Sequence, residues 1–357
     1  MKILNKYLTN KSKIKINKVA EHKNLFLNTL KHQINFHKNN STQYSNFINN
    51  INLDLKKLKN IENLPFLHVN NFKENNLYSV KKNDIYKVLN SSGTTNQNLS
   101  KIYLDKINAK NQIVALKKIL HSVLGEDRLP MLIFEQNLNL IDKSKFGAKI
   151  AAILGFSIFG KNHTFAINSK NEIDYNSLNN FLKKFSNQKF LIFGFTSSIY
   201  EYLIKKLNKK KISIFFKKGI LLHGGGWKKL EKVKINNFEF KKKLKKKLKI
   251  SRVINYYGVV EQTGSIFLEC EKCNCFHNNV FNDIIIRDDK LNISKINQRG
   301  LVQILSILPT SYPGNSILLE DEGYLVDVKN KNCSNSGKSF KIVGRIPKAE
   351  VRGCSDV

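Results

Sequence analysis

Apolar and polar positions along the chain alternate between two periods. Residues 1–60 are rich in Lys and Asn, with Leu, Ile and Phe scattered at helical spacing, and this predicts amphipathic helices lying on a surface. A short apolar stretch, Leu64-Pro65-Phe66-Leu67-His68-Val69, follows. Ile107, Ile113, Val114, Leu116, Ile119, Leu120 and Val123 recur with a helical period over 105–124. Pro130-Met131-Leu132-Ile133-Phe134 then predicts a buried strand, and Lys149–Gly155 a helix stopped by its glycine. Helix is expected at Leu178–Phe185 and Ser197–Leu207, and strand at Phe190–Phe195 and Gly219–His223. Strands alternating with helices predict an α/β fold, a parallel or mixed sheet flanked by helices.

After Ile284 the texture changes to short strands and turns, at 284–286, 301–305 and 324–328. This predicts four regions: a helical extension over 1–60, a large α/β domain over 61–283, a small β-rich subdomain over 284–340, and a short C-terminal tail over 341–357. No internal repeat is present. The basic run Phe240–Leu248 has its apolar residues at four-residue spacing. It predicts one helix with a solvated basic face, with a partner or phosphate surface as the alternative.

Composition narrows the class. The 357 residues carry Lys+Arg 61 against Asp+Glu 27, a formal charge of +34. Such a surface attracts phosphate backbones through counterion release. Only six of the basic residues are Arg, however, and the chain is crowded with Lys, Asn, Ile and Phe. Those are residues of A/T-rich codons, so genomic bias accounts for most of the charge, whereas a surface selected for nucleic acid leans on Arg. A hydrophobic content of 41% excludes a disordered protein. No apolar run approaches the roughly 20 residues of a membrane helix, and the charged start opens into no apolar leader region. Five Cys are too few for a disulfide framework at this length. A cytoplasmic location with reduced thiols, a metal site or a reactive thiol is expected.

Three segments carry candidate chemistry. Ser91-Ser92-Gly93-Thr94-Thr95 follows a strand-like run and can aim hydroxyls and backbone N–H groups at a phosphate; the alternative is a polar turn. His223-Gly224-Gly225-Gly226-Trp227-Lys228 follows an apolar strand, and bare backbone at a strand's carboxyl end admits a planar ligand. Asn255-Tyr256-Tyr257-Gly258-Val259-Val260-Glu261-Gln262-Thr263-Gly264 offers an aromatic and an acid able to stack a base and hold Mg²⁺; the alternative is an ordinary turn with a surface Glu.

These segments, in this order, resemble the adenylate-forming enzymes, and more closely the LuxE-type acyl-protein synthetases. The resemblance runs from about Leu64 to the last residue. It includes Asn71-Phe72-Lys73, Ser100-Lys101-Ile102, Arg128–Ile133, Ser311-Tyr312-Pro313-Gly314, Glu320-Asp321-Glu322-Gly323, and Gly344-Arg345 with Glu350–Asp356. It implies an enzyme that joins a carboxylic acid, typically a fatty acid, to ATP. Pyrophosphate is released, and the acyl group passes from AMP to an enzyme cysteine and on to an acyl reductase or another acyl-transfer partner.

By motif, Ser91–Thr95 would grip the phosphates, with Lys101 just beyond. Gly224, Gly225, Gly226, Tyr257 and Gly258 would shape the adenine pocket. Glu261 would hold Mg²⁺, Asp321 would bind the ribose hydroxyls, and Arg345 would assist. Cys354, beside Arg352, is the expected acyl acceptor, because a nearby guanidinium favours thiolate; an inert tail cysteine is the alternative. Four positions depart from the family pattern: Asn96, Val260, Asn315 and Leu319. Asn96 and Asn315 bear on substrate and rate. The sequence stops soon after Gly344-Arg345, without the full C-terminal domain of acyl-CoA ligases, an expectation that favours the acyl-protein type.

Cys270-x2-Cys273-x-Cys275-x-His277 places four soft ligands in eight positions, which suggests Zn²⁺, with Cys333 as a distant further ligand. A reduced, partly buried thiol cluster is the alternative. Two rival functions remain open. One is an acyl-CoA or carrier-thiol ligase of the phenylacetate-CoA-ligase type, in a setting such as surface-polysaccharide synthesis. The other is a basic, zinc-containing nucleic-acid-binding protein. For the leading reading no specific nucleic acid and no transmembrane segment is expected.

Overall fold

The structure, a computed structural model, describes residues 2–9, 16, 19–51, 53–91, 99–137, 148–208, 211, 215–227, 235–328, 333 and 337–346. Ser92, Gly93, Thr94 and Thr95, together with Arg352 and Cys354, lie outside the described residues. Two compact units divide the chain. One takes Met1–Val123 and Gly258–Val351, and the other takes Leu124–Tyr257.

The first unit begins with α1 (Lys2–Thr9), α2 (Val19–Asn40) and α3 (Thr42–Asn50). The sequence predicts surface helices here, but α2 is set into the unit. Leu30, Ile34 and His37 are fully buried, and Gln33 donates to the Ile307 carbonyl at 2.7 Å. One apolar stripe finds a sheet-bearing partner far along the chain, which local periodicity cannot show. After β1 (Leu67–His68) and the single turn α4 (Asn71–Glu74) comes a hairpin, β2 (Lys87–Asn90) and β3 (Lys101–Leu104). Helix α5 (Lys106–Leu124) follows and matches the predicted helix.

The second unit is a parallel sheet with helices between its strands. Its elements are β4 (Leu129–Gln136), α6 (Ala148–Ser157), β5 (Gly160–Ile167), α7 (Tyr175–Phe185), β6 (Phe190–Phe195), α8 (Thr196–Ile199), β7 (Gly219–Gly224), α9 (Asn237–Leu248) and β8 (Arg252–Tyr257). The strand order is β5-β4-β6-β7-β8, every pair parallel. All six residues of β6, and all six of β7, are buried. Strands covered on both faces read as continuous apolar runs, which is why they were legible. Their shared core includes Leu132, Phe134, Leu178, Phe190, Ile192, Leu221, Phe240 and Leu244.

Two helix readings change here. Gly155 does not stop α6, which runs to Ser157, and it lacks the positive φ of a terminating glycine. The stretch expected as one helix from Ser197 to Leu207 is α-helical only to Ile199, then a π-helix over Tyr200–Lys206. Widened turns leave carbonyls needing other donors, and Lys247 Nζ supplies one to Ile204 at 2.6 Å.

The chain returns to the first unit with β9 (Phe267–Glu269), β10 (Phe276–His277), β11 (Asn282–Arg287), β12 (Gly300–Ser306), β13 (Ser316–Leu325) and β14 (Ser339–Arg345). Their order is β11-β12-β13-β14-β10-β9. These pairings are antiparallel, and β1 adds to β13 in parallel, so this sheet is mixed. The predicted strand at 324–328 is shifted: β13 ends at Leu325 and begins at Ser316, so Glu320–Gly323 lies within a strand. A bulge between Glu322 and Gly323 breaks the register with β14, and the acidic, glycine-bearing motif hid the strand from a propensity reading.

Candidate active site and cysteine–histidine cluster

In the first unit, Ser91 and Ser100 close the hairpin from which residues 92–98 depart. Ser91 N donates to Ser100 O at 3.0 Å, and Ser100 N donates to Ser91 Oγ at 2.9 Å. Lys101 follows at the start of β3, with an exposed side chain. The predicted phosphate loop is thus anchored at its described feet.

Glu261 lies in a single 3₁₀ turn, Val260–Gln262, and is 6% exposed. Three tertiary contacts set that turn. Tyr312, fully buried, donates its hydroxyl to the Glu261 carbonyl at 2.8 Å. Gln262 Nε2 donates to Gly314 O at 2.8 Å. Gly314 must be glycine, since a Cβ there would meet the Tyr312 ring at 2.3 Å and the Glu261 carbonyl at 3.0 Å. The Ser311–Gly314 motif is therefore the seat of Glu261. Next along the turn, Gly264 (φ +81) packs where a Cβ would lie 2.7 Å from the Gln112 carbonyl of α5.

Burial pushes the Glu261 carboxyl above its ordinary pKa, and Ser100, Arg345 and Lys73 act in the opposite sense. Asp321 on β13 and Arg345 on β14 are register partners, with Arg345 Nε 3.6 Å from Asp321 Oδ1. Arg345 thus links Asp321 to the electrostatics of Glu261, a relation a linear motif list could not place. Asn315, a departure from the family pattern, is structural here. Its Nδ2 donates to Gln33 Oε1 at 2.8 Å and to the Ser306 and Pro309 carbonyls at 3.2 and 3.1 Å.

In the second unit, the glycine loop leaves the carboxyl end of β7. A Cβ on Gly224 would sit 2.6 Å from the Tyr256 ring and 2.7 Å from the Tyr256 carbonyl, and Gly225 has φ +77. Nothing lies within 4 Å of a Cβ on Gly226. Trp227 fastens the loop edgewise to Tyr200 and Phe240, with ring centroids 5.1 and 5.8 Å apart. His223, whose ring sequence reasoning did not use, is 1% exposed. Its Nδ1 lies 3.0 Å from Thr196 Oγ1, which also reaches the Gly224 carbonyl at 3.0 Å. Burial, with the Lys241 charge, pushes the imidazole down to about 3, so it is neutral at physiological pH. Tyr257 ends β8 beside Gly258, where a Cβ would meet Ile266 Cγ2 at 2.9 Å.

Apart from these, the first unit gathers Cys270, Cys273, His277 and Cys333, their ligand atoms all within 4.8 Å of one another. This corrects the expected set. Cys275 is fully buried, with its Sγ donating to the Cys273 carbonyl at 3.4 Å, and Cys333, sixty residues on, completes the group. The turn between β9 and β10 explains the exchange. Asn274, at φ +53, closes it by donating to the Cys270 carbonyl at 2.8 Å. Asn tolerates that left-handed conformation.

The sheet topology and this arrangement define a class. Solved structures of 2-hydroxyisobutyryl-CoA ligase share the fold. One, in complex with 2-HIB-AMP and CoA in the thioesterification state, aligns at TM-score 0.69 and 14% identity over 93% of this chain and 70% of its own. An open conformation of the same ligase aligns at TM-score 0.69 and 13% identity, over 94% and 72%. At such identities the likeness concerns the fold alone. The chain belongs to the LuxE family, described as acyl-protein synthetase, whose family model matches residues 12–357. As a member it is an ATP-binding, adenylate-forming ligase that activates a carboxylic acid as its acyl-adenylate. A comparison with curated proteins gives no match. Among the described residues, no helix is long and apolar enough to cross a membrane.

Proposed function

We propose that this protein is an acyl-protein synthetase that passes a carboxylic acid, of fatty-acid type, from its adenylate to Cys354 and then to an acyl reductase or acyl-transfer partner in the cytoplasm. In the first half-reaction a carboxylate oxygen attacks the α-phosphorus of ATP. The bond to the β-phosphate oxygen breaks, and pyrophosphate leaves. In the second, the Cys354 sulfur attacks the acyl carbon, AMP leaves with the former carboxylate oxygen, and the thiol proton goes to solvent.

The observation that carries this reading is the Asp321–Arg345 pair, whose guanidinium also acts on the buried Glu261 carboxyl. Attacking acid and triphosphate are both anionic, so the first half-reaction needs positive charge held in place beforehand. Arg345 supplies a planar guanidinium able to grip phosphate or carboxylate oxygens in a fork. Asp321 orients Arg345 and accepts from the ribose hydroxyls. Glu261 fits a hard divalent cation: it is a carboxylate kept from water whose charged form lacks solvation, and Mg²⁺ would relieve that cost. When bound there, Mg²⁺ neutralises phosphate charge. Ser91 to Thr95 and Lys101 hold the phosphates, and Gly224, Gly225, Gly226, Tyr257 and Gly258 line the adenine.

Acid-dependent exchange between ATP and labelled pyrophosphate, run across a panel of carboxylic acids, tests the first half-reaction. Exchange with no acid in the panel would overturn it. Labelled acid tests the second: Cys354→Ser retains exchange but takes up no covalent acyl group. Undiminished labelling of Cys354→Ser would move the acceptor to another residue of this chain, and a wild type that exchanges pyrophosphate but takes up no label would move it to CoA or a carrier thiol.

A further inference from the structure

Four of the six distances between the ligand atoms of the cysteine–histidine cluster are close to the edges of a tetrahedral metal site, and none of the six exceeds 4.8 Å. Cys270 Sγ and Cys273 Sγ lie 3.6 and 3.7 Å from Cys333 Sγ. His277 Nε2 lies 3.1 Å from Cys273 Sγ and 3.4 Å from Cys333 Sγ. A tetrahedral zinc with ordinary bond lengths needs sulfur–sulfur edges of about 3.8 Å and sulfur–nitrogen edges of about 3.5 Å. The observed edges approach both values and are far longer than a disulfide bond of about 2 Å.

The far side of the imidazole is held, with His277 Nδ1 3.1 Å from Ser339 Oγ. A hydroxyl there accepts from Nδ1–H in the tautomer that leaves Nε2 bare for a metal. Cys273 and His277 are 5% and 4% exposed, and Cys270 and Cys333 are half-buried.

The position of the cluster gives it a purpose. Cys270 and Cys273 sit in the β9–β10 turn, and His277 on β10. Cys333 lies between β13 and β14. His277 pairs with Ser339 at the start of β14, and β14 ends at Arg345, the partner of Asp321 on β13. The connection from β13 to β14 is long, and β10 offers β14 only two paired residues, Phe276 with Phe340 and His277 with Ser339.

We infer that Cys270, Cys273, His277 and Cys333 bind one zinc ion that clasps the β13–β14 connection to the β9–β10 turn and so holds β14, with Arg345, in register against Asp321. Binding displaces the thiol protons to solvent and changes no oxidation state. The cluster is a positioning device for the nucleotide residues, a role that rests on the assignment of Asp321 and Arg345 to ATP.

The test uses the full-length chain purified without chelator. Elemental analysis of the wild type and of Cys275→Ser gives about one zinc per chain, and Cys333→Ser gives a small fraction of that. Cobalt substituted for zinc in the wild type shows tetrahedral visible bands that Cys333→Ser lacks. To separate loss of zinc from loss of fold in Cys333→Ser, wild-type protein stripped of zinc by a chelator is compared with the loaded form by hydrogen exchange. Amides of Ser339–Arg345 exchange at least about tenfold faster after stripping, while those of Gly219–Gly224 hold their rate. Apparent AMP affinity weakens in step. A wild type that takes up no zinc overturns the inference. So does zinc retained by Cys333→Ser but lost from Cys275→Ser, or unchanged exchange in β14 after stripping. Loss of zinc that speeds β14 exchange in a protein with no acid-dependent pyrophosphate exchange would leave the clasp standing and overturn the ATP reading alone.

Discussion

Arg345 and Asp321 face each other as register partners across β13 and β14, Nε to Oδ1 at 3.6 Å, although 24 positions separate them in sequence. The arginine side chain is 38% exposed. An exposed ion pair contributes only about 0–1 kcal/mol to stability. Arg345→Ala is therefore expected to melt within a few degrees of the wild type. Acid-dependent pyrophosphate exchange, by contrast, is expected to fall by about a hundredfold, the order set by losing one preorganised charge. A variant that melts normally and exchanges normally would remove Arg345 from the reaction.

The glycine loop allows an internal contrast. Gly224→Ala drives a methyl group into the Tyr256 ring and carbonyl, and Tyr256 is itself packed on Phe156 at 4.6 Å. Overpacking of this kind costs about 1–3 kcal/mol. Gly226→Ala meets nothing within 4 Å and is expected to change stability by less than about 0.5 kcal/mol. Denaturant unfolding of the two variants checks the ranking.

Glu261 should make the protein less stable as pH rises. Its folded pKa is raised by burial, so between the unfolded value and that raised value the folded state binds more protons. Stability then falls with increasing pH across this window. Glu261→Gln removes the ionisation, so its stability relative to the wild type grows from pH 4 upward. Adding Mg²⁺ with ATP above the window should stabilise the wild type far more than the variant. Melting curves with and without Mg²⁺ATP over pH 4–8 measure both effects.

Acid should act in the opposite sense through two buried imidazoles. Burial lowers His37 to about 4 and His223 to about 3. Each folded pKa is depressed below the unfolded value of about 6.5. Their contribution is present in full above that value and is lost as pH falls toward the folded one. For His37, whose ring contacts Ser79 Oγ at 2.8 Å and the Pro309 carbonyl at 3.4 Å, the loss between pH 6.5 and 4 is on the order of 3 kcal/mol. His37→Gln should flatten the acid limb of a urea-unfolding series. A limb as steep as in the wild type would assign acid lability to other groups.

The α/β class, the buried strands β4, β6 and β7, the glycine loop and the Tyr257–Glu261 motif were legible because each depends on local order. Continuous apolar runs bounded by glycine mark covered parallel strands, and motif residues stand close together. The strand holding Asp321 was less legible. Its acidic residues and bulge contradict strand propensity, and pairing on both sides overrides them. The seat of Glu261 was hidden for a related reason, since Tyr312 and Gly314 act on it from about fifty residues away.

What the sequence by itself determined is the inventory: an ATP-dependent acid-activating chemistry carried by motifs in a set order, in a chain with enough apolar residues for two compact cores. Only the tertiary structure decided the partnerships. It turned Cys275 into a buried residue of the turn and brought Cys333 to His277. It seated α2 inside the first unit through Gln33 and Asn315, and set Arg345 against Asp321. Local order depends on backbone geometry and short-range spacing, which the sequence spells out directly. Contacts between distant residues depend on which faces remain unsatisfied once the strands have paired, and that is settled only when the whole sheet has formed.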